Sequence, residues 1–339
     1  MFEALPLPAN LGVFAAAAAV VWFAGTRIAG YADAIAEKTG IGRVLIGMVL
    51  LGGVTSLPEL AVASTASFAG HPELSVNDLL GSAAINVLIL AIADAALGRD
   101  ALTSVLASPG VLLQGMLGVV LLAMVAAAAT TVDLPLAGAS AWTWALLAGY
   151  VIAVRVLAKS RSGEAWHASG RPPPRPQNAR DPGPLRPILA KTVAAGLGVL
   201  AAGFLLAKTG EALAVQTGLG TNFVGVVVLA AATSLPEAST VLAAVRLRRY
   251  EMAVSDVFGT NLFNVTIIFL VDALYDGPPV LAQVGAFAAF GALLAIVLTA
   301  LYLAGMIERR DRTVLRMGYD SLAALGVYAA GLIVLYHLR

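Results

Sequence analysis

Thr55-Ser56-Leu57-Pro58-Glu59 recurs unchanged at Thr233-Ser234-Leu235-Pro236-Glu237, and each copy of this TSLPE stretch lies inside a long apolar run. A proline interrupts a helical hydrogen-bond ladder, and a carboxylate at membrane depth costs about 2.5 to 3.5 kcal/mol, so neither residue is placed there cheaply. Sliding the chain on itself by 178 residues superposes the two copies, and the match continues on both sides without a gap. Thr39-Gly40 falls on Thr217-Gly218, Gly42 on Gly220, Gly47 on Gly225, Glu73 on Glu251, Asp78 on Asp256, Gly81 on Gly259, Asn86 on Asn264 and Asp94 on Asp272. The chain therefore carries one unit twice.

Composition says where that unit resides. Of 339 residues, 59% are hydrophobic and 12% charged, with a mean hydropathy of +0.87; soluble domains carry about 25% charged residues. This is the composition of an integral membrane protein. Cysteine is absent, which excludes disulfides, thiolate metal sites and cysteine nucleophiles. The three histidines, His71, His167 and His337, are far apart in sequence and argue against a histidine-rich zinc site. No basic region precedes the first apolar stretch, so the start MFEALPLPANLGVF reads as a mature N-terminus.

A bilayer core of about 30 Å takes about 20 apolar residues per helix. That ruler predicts ten spans, approximately 10 to 31, 42 to 69, 74 to 97, 104 to 129, 134 to 157, 188 to 207, 219 to 245, 252 to 275, 279 to 304 and 315 to 337. Residues 1–157 form a first five-helix unit and 188–339 a second, with the repeated cores at about 40–97 and 218–275. Between them, residues 158–187 are rich in Pro, Gly and Arg and read as an extended linker, too short for a folded regulatory domain. With the N-terminus outside, 19 of the 21 Lys and Arg residues fall on the inner side, leaving Lys208 and Arg339 outside. Cytoplasmic loops carry the basic excess, so both termini are expected outside and the linker in the cytoplasm of a multi-pass plasma-membrane protein.

An odd number of spans per unit makes the second copy cross the membrane in the opposite sense. The expected fold is an all-α membrane protein of two inverted-topology five-helix repeats with helices broken near the midplane, an architecture that supports alternating access. The plain alternative is a duplicated helical bundle without transport. Against it, the repeated residues are polar ones at membrane depth.

Their chemistry is that of an oxygen cage. Pro58 cannot donate to the carbonyl of Val54, nor Pro236 to that of Ala232, and freed carbonyls at membrane depth are tolerated where they line a cavity or hold an ion. Thr55 and Glu59 stand at i, i+4 with Ser56 one step round, and Thr233, Ser234 and Glu237 repeat this. Ser82 with Asn86, and Thr260 with Asn264, pair a hydroxyl and an amide at the same spacing. Two carboxylates, two amides and several hydroxyls, without nitrogen or sulfur donors, suit hard cations. The structural alternatives are a simple kink at each proline, hydroxyls bonded back to their own helices, and asparagines acting as interhelical glue. Asp78 and Asp256 read either as helix caps or as ion guides; Asp94 and Asp272 are expected at solvated helix ends.

GMVLLGGVTSLPEL with NDLLGSAAIN, and GVVVLAAATSLPEAS with SDVFGTNLFN, resemble the two alpha-repeats of the sodium/calcium exchanger family, within the wider cation/calcium exchanger superfamily. The resemblance implies antiport of Ca2+ against Na+ through one central site that faces each side in turn. It implies that Glu59 and Glu237 are the shared carboxylates. Thr55, Ser56, Thr233, Ser234, Ser82 and Thr260 would then supply oxygens to Na+, with Asn86 and Asn264 beside the centre and Pro58 and Pro236 opening the helices. The chain departs from the family pattern at Val54 and Ala232, where a glycine is usual, at Ala83 in place of the Asn of GSN, at Asn264, often Asp, and at Asp78 and Asp256, often Asn. With Asn264 neutral, the central glutamates carry two charges, enough for one Ca2+ or two Na+.

Proton-coupled exchange of Ca2+, or exchange of Mn2+ or Mg2+, would use the same carboxylates. A passive channel is a further alternative. An intramembrane hydrolase built on Asp94 and Asp272 is the reading from another class; these residues are expected to face opposite sides of the membrane. The expected partners are the bilayer and the transported cations, with no nucleic acid, no obligate protein partner and no cofactor.

Overall fold

The computed structural model describes residues 2–68, 70–97, 101–106, 108–159, 184–216, 230–308, 313–314 and 317–338. After a short 3-10 turn, α1 (Leu7–Thr39) runs until Gly40, whose φ of 71° gives the left-handed cap that stops the helix. Next come α2 (Arg43–Leu45), a π-helical turn (Ile46–Leu51), α3 (Gly52–Thr55), α4 (Leu57–Phe68), α5 (Pro72–Leu97), α6 (Leu102–Val105) and α7 (Pro109–Ala128). A hairpin of β1 (Pro135–Leu136) and β2 (Ala139–Ser140) leads into α8 (Ala141–Lys159). The second half follows the same order: α9 (Leu185–Gln216), α10 (Ala230–Thr233), α11 (Leu235–Arg246), α12 (Tyr250–Leu274), a 3-10 turn (Val280–Ala282) and α13 (Gly285–Glu308). A hairpin of β3 (Thr313–Val314) and β4 (Met317–Gly318) then precedes α14 (Tyr319–Leu338). The 178-residue offset read from the TSLPE pair holds to the ends of both halves. It relates Leu7 to Leu185, each strand residue of the first hairpin to one of the second, and Ala141 to Tyr319.

Among the described residues, eight single helices are long and apolar enough to cross a membrane, and the pair Arg43–Thr55 with Leu57–Phe68, bent by 46°, brings the number to as many as nine. The span expected at 219 to 245 is described only from Ala230 onward; Thr217, Gly218, Gly220 and Gly225 lie outside the described residues, as does most of the linker. Two expectations need correction. The first and sixth spans are far longer than the 20-residue ruler allowed, 33 and 32 residues, because nothing in the runs after residues 31 and 207 breaks a helix. The starts of the fifth and tenth spans are hairpins instead of helix. Ala137 and Gly138, both at positive φ, make the tight turn of the first.

The halves interlock. α1 packs along α9, and each also seats on the broken helix of the other half. A Cβ on Gly25 would fall 3.3 Å from the Pro236 carbonyl oxygen and onto the Ser239 hydroxyl, and one on Gly203, its counterpart, within 2.3 Å of the Pro58 ring. α5 and α12 are the most buried spans and cross at the centre. There a Cβ on Gly259 would lie 2.4 Å from the Met48 Cα, and one on Gly52 2.7 Å from the Thr260 nitrogen. Small residues allow this backbone-to-backbone approach.

Polar contacts fix which helix ends lie together. Asp33, near the end of α1, takes Arg43 at 3.0 Å and Arg249, just before α12, at 2.7 Å. Ser67, at the end of α4, donates to the Val271 carbonyl near the end of α12 at 2.6 Å. α5 thus starts beside the end of α12, and the two run in opposite senses.

Candidate ion-binding site

Both TSLPE stretches break their helix in the same way. The break falls at Ser56 (φ −80°, ψ 2°) and at Ser234 (φ −83°, ψ 2°), each the N-cap of a new half-helix with proline as its second residue. Proline is tolerated there because the first turn has no intrahelical use for its N–H. Pro58 and Pro236 therefore start the second half-helix more than they kink a continuous one. The Val54 carbonyl, without its usual donor at Pro58, faces the N–H of Ser56.

The residues around both breaks and the facing residues of α5 and α12 are buried together. Thr55, Ser56, Glu59, Ser82, Asn86, Thr233, Ser234, Glu237, Thr260 and Asn264 are all buried, none more than 2% exposed. Six of them form a ring in which each half completes the other. The Thr55 and Thr260 hydroxyls are 3.2 Å apart, and those of Thr233 and Ser82, their counterparts, 3.4 Å. The Thr233 hydroxyl stands beside the Glu59 carboxylate and that of Thr55 beside Glu237, without a formed hydrogen bond to any of the four carboxylate oxygens. The two glutamates are themselves within electrostatic range of each other. Ser56, Ser234 and Asn264 are buried next to this ring in sequence or one turn along, and their side-chain polar atoms have no hydrogen-bond partner.

Asn86 is held by a residue that the repeat pattern passed over. Its amide N–H donates to the Asn261 side-chain oxygen at 3.2 Å, and the Asn261 amide donates to the Ala83 carbonyl at 3.0 Å. Asn86 Oδ1 is left buried without a partner, the orientation an acceptor toward a cation needs. Asn261 corresponds to Ala83 under the repeat, so comparing the copies showed a mismatch and not a matched pair. The departure itself was the signal.

The membrane aspartates separate into two kinds. Asp94 and Asp272, expected to be solvated, are 1% and 5% exposed. Asp94 accepts from the Leu102 N–H (2.7 Å), the Gly318 N–H (2.7 Å) and the Ser321 hydroxyl (2.6 Å). Asp272 accepts from the Val280 N–H (2.8 Å) and the Thr143 hydroxyl (2.8 Å), and Thr143 is the counterpart of Ser321. These are staples at helix ends, far apart along their spans. Asp78 and Asp256 are each the seventh residue of a helix, too far inside for the capping role considered from sequence.

Among the described residues no group of three or more His, Asp or Glu side chains is arranged to hold a metal ion. The donors are two carboxylates surrounded by neutral oxygens, all of them buried and many without a partner. A cation would satisfy these oxygens at once.

The family model described as sodium/calcium exchanger protein matches residues 9–158 and 188–337. The chain belongs to the sodium/calcium exchanger family. That places it among transporters and not enzymes. Relatives of this exchanger-family chain include CaxA of Alkalimonas amylolytica, 26% identical over 318 residues, which cover 90% of this chain and 93% of that one. The inner membrane protein YrbG of Escherichia coli (strain K12) is 27% identical over 257 residues, 75% of this chain and 76% of its own length. In fold, the sodium-calcium exchanger NCX_Mj, in a crystal soaked with Na+ and Sr2+, matches with a TM-score of 0.70 at 18% identity, over 97% of this chain and 99% of that one.

Proposed function

We propose that this protein is a secondary-active cation antiporter of the plasma membrane that exchanges Na+ for Ca2+ by alternating access, exporting Ca2+. One observation carries the reading: the two-fold ring in which Glu59 faces Thr233 and Glu237 faces Thr55, with every carboxylate oxygen buried and free of a hydrogen bond. Ca2+ takes six to eight oxygens, and Glu59, Glu237, the four ring hydroxyls and the Asn86 and Asn264 oxygens offer that many. Ser56 and Ser234 stand at the helix breaks as further donors. One Ca2+ or two Na+ balance the two glutamates, so the ions displace each other.

In this reading the chain makes ten spans as two inverted five-helix repeats, 1–157 and 188–339, with both termini outside and residues 158–187 in the cytoplasm. The opposite senses of α5 and α12 support the inversion, and the basic excess supports the orientation. Alternating access needs an element with two positions. The α1–α9 pair is the candidate: Ala17, Val21, Ala202 and Leu206 cluster with Ala232 of α10 apart from the main core, while Ile28 and Ala32 of α1 and Val199 of α9 belong to that core.

The test is uptake of radioactive Ca2+ into proteoliposomes loaded with Na+ and diluted into Na+-free buffer. Parallel vesicles carry a proton gradient, and others carry a Glu59→Gln, Glu237→Gln double variant. Uptake that follows the Na+ gradient and is lost in the variant is expected. Uptake under the proton gradient alone would reassign the coupling ion, and uptake with no gradient would indicate a channel.

A further inference from the structure

Six buried carboxylates and no buried Lys or Arg are found among the described residues. Glu59 and Glu237 belong to the central ring, and both oxygens of Asp94 and of Asp272 accept from backbone N–H or hydroxyl donors, which leaves Asp78 and Asp256. We propose that these two form flanking cation sites, one on each side of the central ring, and that they are unequal, Asp78 being the stronger cation ligand. This rests on the cation-transport reading above.

The placement comes from helix geometry. Asp78 lies four residues before Ser82 and Asp256 four before Thr260, so each shares a helix face with a ring hydroxyl, one turn away. Because α5 and α12 run in opposite senses and cross near Ala83, Asn86 and Asn261, one turn back along each leads to opposite sides of the ring. Each aspartate is within electrostatic range of the glutamate of its own half, Asp78 of Glu59 and Asp256 of Glu237. Like charges at that range, desolvated and without a basic neighbour, require a cation if they are to stay ionised.

The contrast with the staples argues against a purely structural role. Asp94 and Asp272 show what structural carboxylates look like in this protein: each is met by backbone N–H and hydroxyl donors. Both oxygens of Asp78, 1% exposed, have no hydrogen-bond partner at all.

The inequality comes from one position. Thr240 on α11 donates its hydroxyl to Asp256 Oδ2, leaving only Oδ1 unpartnered. Its counterpart on α4 under the 178-residue offset is Val62, a side chain of the same shape with a methyl group where Thr240 has its hydroxyl. Asp256 is thus partly satisfied by the protein, while Asp78 depends on the cation. A cation approaching from the Asp78 side meets the bare carboxylate before the ring.

The test is equilibrium binding of radioactive Ca2+, and separately of Na+, to the full chain in lipid nanodiscs, alongside thermal unfolding. Asp78→Asn is expected to weaken binding by at least about tenfold, and Val62→Thr, which gives Asp78 the hydroxyl that Asp256 already has, by about threefold. Thr240→Val should strengthen binding, and Asp256→Asn should cost less than Asp78→Asn. If Asp78 were structural, Val62→Thr would change the melting temperature and leave cation binding alone. Affinities within twofold of wild type in both Asp78→Asn and Val62→Thr would overturn the proposal. Should Asp78→Asn fail to fold, the near-isosteric Val62→Thr decides by itself. Failure of wild type to carry Ca2+ in the uptake assay would count against the exchange reading instead.

Discussion

Replacing Gly259 with alanine tests whether the ring depends on backbones in contact. A Cβ at Gly259 would stand 2.4 Å from the Met48 Cα and 2.8 Å from its carbonyl oxygen, both backbone atoms that cannot rotate aside. Ordinary contact begins near 3.4 Å, so α12 and the π-helical turn must separate by about 1 Å. The Thr55 to Thr260 hydroxyl separation, 3.2 Å, would then open to about 4 Å, beyond hydrogen-bonding distance. Overpacking of this kind costs about 1 to 3 kcal/mol of stability. A ring opened on one side should bind its cation on the order of tenfold more weakly, which is about 1.4 kcal/mol. The control is Gly53→Ala in α3, across the crossing from Gly259, where an added Cβ meets no atom within 4 Å and alanine is the better helix former by about 1 kcal/mol. Both variants would be assayed by Na+-driven Ca2+ uptake and by thermal unfolding. Gly259→Ala transporting like wild type and melting with Gly53→Ala would refute the close-packed crossing.

Ca2+ at about 100 times its Kd should stabilise the wild-type fold by about 2.7 kcal/mol, seen as a raised melting temperature, and the Glu59→Gln, Glu237→Gln variant should lose that rise. Asp94→Ala removes the acceptor of three hydrogen bonds and strands their donors, so it should lower stability by about 2 to 4 kcal/mol; cation affinity of the folded fraction should not change. Asp33→Asn should cost about 1 kcal/mol or less per ion pair, since Arg43 and Arg249 are partly exposed, and the loss should shrink further in high salt. Asn261→Ala unties the Asn86 amide and should weaken Ca2+ binding about three- to tenfold with little change in melting, because Ala83 already occupies the equivalent place in the other half; unchanged affinity would remove Asn261 from the site.

The ring was legible in the sequence because its members repeat at a fixed offset and are expensive where they stand. A buried Glu and a mid-span Pro are local signals, and the i, i+4 spacing of Thr55 with Glu59 already put both on one face. What the sequence hid depends on contacts between distant segments. Asp94 looked like a solvated helix end because its three donors come from Leu102, Gly318 and Ser321, two of them more than 200 residues away. The two hairpins are four residues of strand each, inside stretches apolar enough to pass as helix. The π-helical turn at Ile46–Leu51 leaves no mark in the residue pattern, since it is the close passage of α12 that accompanies it. Asn261 was the opposite case: it was visible only as a failure of the repeat, and it took the cross-helix hydrogen bond to show why the failure is useful.

The crossed pairing of Glu59 with Thr233 has a consequence for synthesis. Ribosomes add about 5 to 20 residues per second, so Thr233 follows Thr55 by roughly 10 to 35 s. Throughout that interval Glu59 is a carboxylate whose partner hydroxyl has not been made. The second half thus brings, late in synthesis, the hydroxyl that stands beside Glu59 and Ser82. Damage to the α9–α12 region should therefore be read by membrane quality control as a defect of the N-terminal helices, and a chain truncated after the linker should be degraded even though each of its spans inserts.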